Sequence, residues 1–377
     1  MKTRAAVLQR TDATHPYAES RPLVVEELTL AVPGPGEVLV RVGAAGVCHS
    51  DLSVVDGVRP RPVPMVLGHE AAGVVEEVGA GVAHVAAGDH VVFAFVPSCG
   101  DCVPCLSGRP ALCERGAVTN TAGTLLAGTR PFTRADGSPV NQHLGVSAFA
   151  ERTVAAAASV VKVPSDLPLD QAALFGCALL TGVGAVLNTA KVAPGSTALI
   201  VGLGGVGLAS VMGARLAGCT QVIAVDTDKG KFDLAEQVGA TAVITGDAYA
   251  VERVREITGG GVDYAFEAAG HPSALATAYA ATGRGGTTVG IGLPHPTARF
   301  ELPALSLVAE ERRLVGSYMG SAVPRRDIPR YVELFREGRL PVDKLAGGTW
   351  RLDQVNEAMD ALAGGAVARQ LLLPEPR

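Results

Sequence analysis

The sequence has no excess of basic residues: 32 Lys and Arg face 37 Asp and Glu among 377 residues, a net charge of −5. Nucleic acids and anionic membrane surfaces recruit positive charge, so neither is indicated as a partner. It also has no apolar leader, since the opening MKTRAAVLQR runs on into polar and charged residues, and a cytoplasmic rather than a secreted protein is expected. Two uncharged stretches, 172–190 and 192–214, are long enough to cross a bilayer, but Gly and polar residues interrupt both. Buried strand-turn-helix units produce such runs, so no membrane span is predicted. No internal repeat or low-complexity linker is present. The cysteines lie at 48, 99, 102, 105, 113, 177 and 219. Their clustering without a secretion signal points to metal rather than to disulfides.

What is there is ample core. With 48% hydrophobic and 18% charged residues the chain reads as soluble and globular, and its length exceeds what one core usually serves. The first 150 residues carry short β-rich runs such as 37–42 and 72–78, broken by Gly and Pro, a mostly antiparallel β pattern. From about residue 178 apolar strands alternate with helical stretches. The strands fall at 198–201, 222–226, 242–245, 263–267, 287–291 and 314–317, which predicts an α/β fold with a doubly wound parallel Rossmann sheet. Helices are expected at 328–337 and 352–363 and a last strand at 370–373. Residues 123–146, rich in Gly, Thr and Pro, read as a long loop. The expected domains are 1–178, 179–321, and a tail, 322–377, that returns to complete the first.

Four cysteines in the array Cys99-x2-Cys102-x2-Cys105-x7-Cys113 can surround one tetrahedral zinc and leave no open position, the mark of a structural site. Cys48 in GVCHSD and His69 and Glu70 in GHE are each weak signals, since an isolated Cys or His is more often core. Joined by Cys177 at the start of the second half, two thiolates and one imidazole would hold zinc with a fourth place free for water or substrate. Glu70, beside a ligand, is a candidate to tune that metal. The third signal is Gly202-Leu203-Gly204-Gly205-Val206-Gly207, directly after the apolar strand ALIV and opening a helix. The next strand ends in Asp226, placed to accept hydrogen bonds from an adenosine ribose, while the glycines admit a pyrophosphate to the helix N-terminus.

On the phrases GVCHSD, GHEAAGVVEEVG, GDHVV, the four-cysteine loop, HLGVSAFAE, APGSTALIVGLGGVGLA and VDTDKGKF, the chain resembles the zinc-containing medium-chain alcohol dehydrogenases over nearly all its length. The loop 123–146 is similar to that of the branch holding liver-type and glutathione-dependent formaldehyde dehydrogenases. The resemblance implies a GroES-like catalytic domain beside the Rossmann domain, NAD as cofactor, two zinc ions per chain and a homodimer, or a tetramer. It assigns Cys48, His69 and Cys177 to the catalytic zinc and Cys99, Cys102, Cys105 and Cys113 to the structural one. Ser50 would take the substrate proton. His49 and Arg369 would meet the pyrophosphate, Asp226 and Lys231 the adenosine ribose, and Thr181 and Val206 the nicotinamide. Phe95 would wall the substrate pocket.

Two departures stand out. Ser53 occupies the position where many relatives end the proton relay in a histidine, so water or His49 is the alternative end. Arg59 and Ala117 stand where the glutathione-dependent relatives carry an acidic residue and an arginine, which weighs against a glutathione adduct as substrate. The implied reaction is reversible hydride transfer between an alcohol, a primary one first, and NAD, giving an aldehyde or ketone. Oxidation of a thiol-formaldehyde adduct is the alternative within enzymes, and a non-catalytic nicotinamide-binding redox sensor the alternative outside them. Cys219 fits none of these sets and is expected to be a small core residue.

Overall fold

The computed structural model describes residues 1–365 and 369–374. The chain divides into two compact units, one formed by Met1–Cys177, Val323–Glu333 and the described part of Ala346–Arg377, the other by Ala178–Ala322 and Leu334–Leu345.

The first unit is β-rich. Strands Lys2–Leu8, Leu23–Leu30, Phe132–Thr133, Pro139–Gln142 and Met65–Val66 close a barrel. Its interior is filled by Ala5, Val7, Leu28, Leu30, Phe132 and Val140, all buried, because the period-two pattern sends alternate side chains inward. A second sheet is built around Glu37–Val47, which pairs antiparallel with Glu70–Val78, Arg152–Ala156 and Gln370–Leu373. The ends of these strands deliver Cys48 and Glu70 to one place. Residues 123–146 are not one long loop: they contain the two short strands Phe132–Thr133 and Pro139–Gln142, which pair with each other and close the barrel. With two and four residues, these strands are too short to show a clear alternation in sequence.

The second unit holds a six-stranded, all-parallel sheet with the spatial order Ala242–Thr245, Gln221–Asp226, Thr197–Val201, Val262–Glu267, Thr282–Gly290, Arg313–Gly316. In chain order this is 3-2-1-4-5-6, the doubly wound nucleotide-binding arrangement. Leu199, Val201, Ile223, Val225 and Ala265 form the buried layer between sheet and helices. The fifth strand begins earlier than its apolar stretch suggests, since Thr-Gly-Arg-Gly-Gly reads as a turn but pairs with Val262 through an irregular register.

Leu169–Ala190 is a 22-residue apolar helix long enough to cross a membrane, yet 78% of its most apolar window is packed inside the protein. It is a core helix containing two π-helical stretches, one of which, Phe175–Leu179, carries Cys177. Single π turns often mark functional positions, because the extra residue turns a side chain out of the regular stripe.

Candidate active site

Cys48 ends the strand Glu37–Val47 and caps the helix His49–Val55. Its backbone N–H donates to Asp51 Oδ2 at 3.2 Å, which ties the turn to the first residues of the helix. His69 follows Gly68, whose φ is +90° and where an added Cβ would sit 2.6 Å from the Phe149 backbone nitrogen, so only glycine fits. Cys177 comes from the π turn. The ligand atoms of Cys48, His69 and Cys177 all lie within 4.8 Å of one another, and the three residues are buried. Cys177 Sγ is 3.4 Å from His69 Nε2. Phe95 stands edge-on to the His69 ring, 5.4 Å between centroids.

Asp51 organises this cluster and has no exposed surface. Its Oδ1 accepts the Gly68 N–H at 3.1 Å and His69 Nδ1 at 3.0 Å. A carboxylate partner at Nδ1 means that this nitrogen carries the proton and that Nε2 points a lone pair at the two sulfurs. His143 Nδ1 approaches the same oxygen at 3.1 Å, too obliquely for a full hydrogen bond, and its ring stands perpendicular to that of His69. Asp51 and His143 lie inside the phrases GVCHSD and HLGVSAFAE, but nothing local in those phrases signals that the fold joins them.

Glu70 and Arg369 form a second buried contact, with Arg369 Nη2 3.0 Å from Glu70 Oε2, an ion pair by distance but not aligned as a hydrogen bond. Burial drives the Glu70 carboxyl up, Arg369 pulls it back only in part, and it settles at about 7. The hydrogen bond from Cys177 holds the Cys48 thiol well below its usual range, against the effect of burial and with help from Arg369 and His69. A thiolate is the form that binds metal. One thiol poised as thiolate, a second beside it and an oriented imidazole lone pair form a donor set that fits zinc with one position open.

Cys99, Cys102, Cys105 and Cys113 also lie within 4.8 Å of one another. Cys99–Cys105 and Cys102–Cys113 sulfur separations are 4.0 and 3.9 Å. A zinc tetrahedron with Zn–S near 2.3 Å has edges of roughly 3.8 Å, so the spacing fits. Backbone N–H groups of Cys99 and Gly116 donate to Cys113 Sγ, and that of Cys102 to Cys99 Sγ, which orients these two sulfurs. Cys219 lies buried away from both clusters, its thiol pushed up to about 11 by burial.

In the second unit Gly202 has φ +95°, and an added Cβ would lie 2.7 Å from Ala269 N; at Gly207 a Cβ would run into the Gly202 carbonyl. At Gly204 a Cβ would meet nothing, so the backbone there faces open space that a diphosphate can fill. Asp226 Oδ2 accepts the Leu203 N–H at 2.7 Å, fixing the carboxylate beside the glycine turn, and Lys231 Nζ lies 3.3 Å from the same oxygen. Gly205 and Val206 start the helix Gly205–Leu216, and Gly182 packs against the Val206 carbonyl, which brings Thr181 next to that turn.

Comparison with known proteins agrees. Residues 34–165 match the alcohol dehydrogenase GroES-like domain, and 205–337 the zinc-binding dehydrogenase domain. The S-(hydroxymethyl)glutathione dehydrogenase of Paracoccus denitrificans is 36% identical, over 99% of this chain and 100% of its own. Among solved structures, an alcohol dehydrogenase zinc-binding domain protein from Burkholderia ambifaria is 38% identical with a TM-score of 0.94, and benzyl alcohol dehydrogenase from Acinetobacter calcoaceticus is 32% identical with 0.92; both alignments cover 100% of each chain. The chain belongs to the zinc-binding medium-chain dehydrogenases. This dehydrogenase is accordingly an NAD-dependent zinc oxidoreductase acting on an alcohol or aldehyde. Among its described residues the dehydrogenase carries three groups that could hold a metal ion: one closed by four thiols, the three-residue set Cys48, His69 and Cys177, and Asp51, His69 and His143, which shares His69 with the second.

Ser50, half-buried, follows His49, which is exposed at the start of its helix. Ser53 Oγ donates to the Ser50 backbone carbonyl at 2.9 Å and accepts from Arg59 Nη1 at 3.1 Å.

Proposed function

We propose that the enzyme oxidises primary alcohols to aldehydes, reversibly, with one catalytic zinc at Cys48, His69 and Cys177 and one structural zinc at Cys99, Cys102, Cys105 and Cys113. The observation that carries this reading is the buried convergence of two thiols and an imidazole on one point. Zinc bound there supplies a Lewis acid that lowers the pKa of an alcohol hydroxyl. Ser50 takes the hydroxyl proton, Phe95 walls the apolar side of the pocket, and Thr181 with Val206 holds the nicotinamide that accepts hydride. His49 and Arg369 neutralise the pyrophosphate, while Glu70 pairs with Arg369 until the cofactor arrives. The free state of all seven cysteines supports a cytoplasmic setting. An exposed outer strand, Arg313–Gly316, with exposed Leu305 and Val308 a few residues before it in the chain, supports a homodimer formed along that edge.

The proton leaves from Ser50 to water or His49 rather than through Ser53, whose hydroxyl hydrogen is engaged by a carbonyl and whose lone pair takes Arg59. Ser50→Ala should therefore lose alcohol oxidation by on the order of a hundredfold, the scale of positioned proton transfer, and Ser53→Ala only a few-fold. Equal losses in steady-state kcat would route the proton through Ser53.

A marked preference for NAD over NADP rests on Asp226. A carboxylate and a ribose phosphate charge about 4 Å apart repel by roughly 4 kcal/mol at an effective dielectric near 20. Lys231 and water offset part of this, leaving about 2 kcal/mol, roughly thirtyfold in kcat/KM. Asp226→Gly should bring the two cofactors close to parity. Equal use of both by the wild type, or an unchanged ratio in the variant, would remove Asp226 from the choice.

A second reading, oxidation of a thiol-formaldehyde adduct, is favoured by the 36% identity to the Paracoccus enzyme. Arg59 and the exposed Ala117 weigh against it. Rates of NADH formation on benzyl and aliphatic primary alcohols, and on formaldehyde with and without glutathione, separate the two. Strong activity restricted to the glutathione adduct would replace the first reading with the second.

A further inference from the structure

Asp51 is already fixed without His143. Backbone N–H groups from both ligand-bearing segments, Cys48 and Gly68, hold its two oxygens, and His69 Nδ1 completes the set. His143 Nδ1 is thus a third nitrogen crowded against Oδ1, 3.1 Å away but off the line of a hydrogen bond, buried and with its ring roughly perpendicular to that of His69. A carboxylate oxygen offers two lone-pair directions, here taken by the Gly68 and His69 N–H groups, so a third nitrogen pressed against it competes for the same density. The contact is oblique, and nothing in the geometry suggests that it is needed to place the carboxylate.

We propose that His143 is a positioning residue that acts through Asp51 to weaken the Asp51–His69 hydrogen bond, limiting how basic a ligand His69 becomes and keeping the catalytic metal a stronger Lewis acid. A carboxylate on the far nitrogen of a metal-binding imidazole raises its donor strength, and sharing that carboxylate lowers it. This inference rests on the reading that Cys48, His69 and Cys177 hold the metal.

The sign of the effect separates this role from a structural one. In the intact enzyme, His143→Phe keeps the ring volume and removes the donor. The proposal expects the catalytic metal to be released to a chelator about threefold or more slowly than from wild type, with kcat for alcohol oxidation falling by a similar factor. After cobalt is exchanged into the open site, the d–d absorption bands should shift in His143→Phe, and His143→Asn, which restores an N–H near the same point, should return them towards wild type. Release that is unchanged or faster in His143→Phe, in a protein whose cobalt bands are present in the wild type, would overturn the proposal alone. If the wild type shows no cobalt bands from the Cys48, His69 and Cys177 set, the site reading and the proposal fall together.

Discussion

Cys177→Ser should leave a folded protein that retains about one zinc per chain and has lost turnover by at least roughly a thousandfold. The expectation follows from where the thiol sits. Cys177 is buried in a π turn, its sulfur 3.4 Å from His69 Nε2, and it is one of the three candidate ligands grouped there among the described residues. A serine hydroxyl is close in size, so the surrounding Phe175, Leu174 and Leu179 keep their packing. A neutral hydroxyl, however, is a far poorer zinc ligand than a thiolate, and two remaining ligands do not close a stable site. A thousandfold loss corresponds to about 4 kcal/mol of transition-state stabilisation, modest beside the several pKa units by which a Lewis acid acidifies a bound hydroxyl. Zinc content by atomic absorption, melting temperature and kcat measured on one preparation decide it. Full activity with one zinc per chain would show that the three-ligand cluster is not the catalytic one.

Cys102→Ser should have the opposite profile: a large loss of stability, with whatever activity survives belonging to the molecules that remain folded. The four-cysteine segment makes little core of its own. Val103, Leu106 and Val118 are exposed, and between Cys99 and Cys113 only Ala111 and Cys113 are buried apolar residues. With so little apolar burial, the proposed zinc would hold the segment together through its four sulfurs, and a closed zinc site contributes directly to folding. Losing one ligand should cost more than about 3 kcal/mol, on the order of 10 °C in melting temperature for a domain of this size. A scanning-calorimetry trace unchanged from wild type would mean that the segment folds without its metal.

Much of this site is legible in sequence because its chemistry restricts residue type and spacing together. Four cysteines within fifteen positions admit few readings, and Gly202, Gly204 and Gly207 after an apolar strand, with Asp226 ending the next, imply a tight glycine turn beside a carboxylate, and the backbone has that turn. The parallel strands are legible for a related reason, being continuous apolar runs between helical stretches. The barrel's closing hairpin is not, since Phe132–Thr133 and Pro139–Gln142, besides pairing with each other, are held in the barrel by partners far away in sequence rather than by a pattern of their own. Asp51 and His143 escape for the same physical reason. Each is an ordinary polar residue within its phrase, and its role exists only once strand ends, the Gly68 turn and the segment after Gln142 converge on one carboxylate oxygen.

On the proposed reading, hydride transfer to NAD by this protein depends on metal held by Cys48, His69 and Cys177. Its most direct test is NADH formation from a primary alcohol such as benzyl alcohol, followed in parallel with zinc content during selective chelation and re-addition of zinc. Activity should fall in proportion to loss of the first zinc to leave, the one held by three rather than four protein ligands, reach zero with about one zinc per chain remaining, and return when zinc is restored. Activity that persists after both metals are gone, or a protein with two zinc ions and bound NAD that oxidises no alcohol, would contradict it.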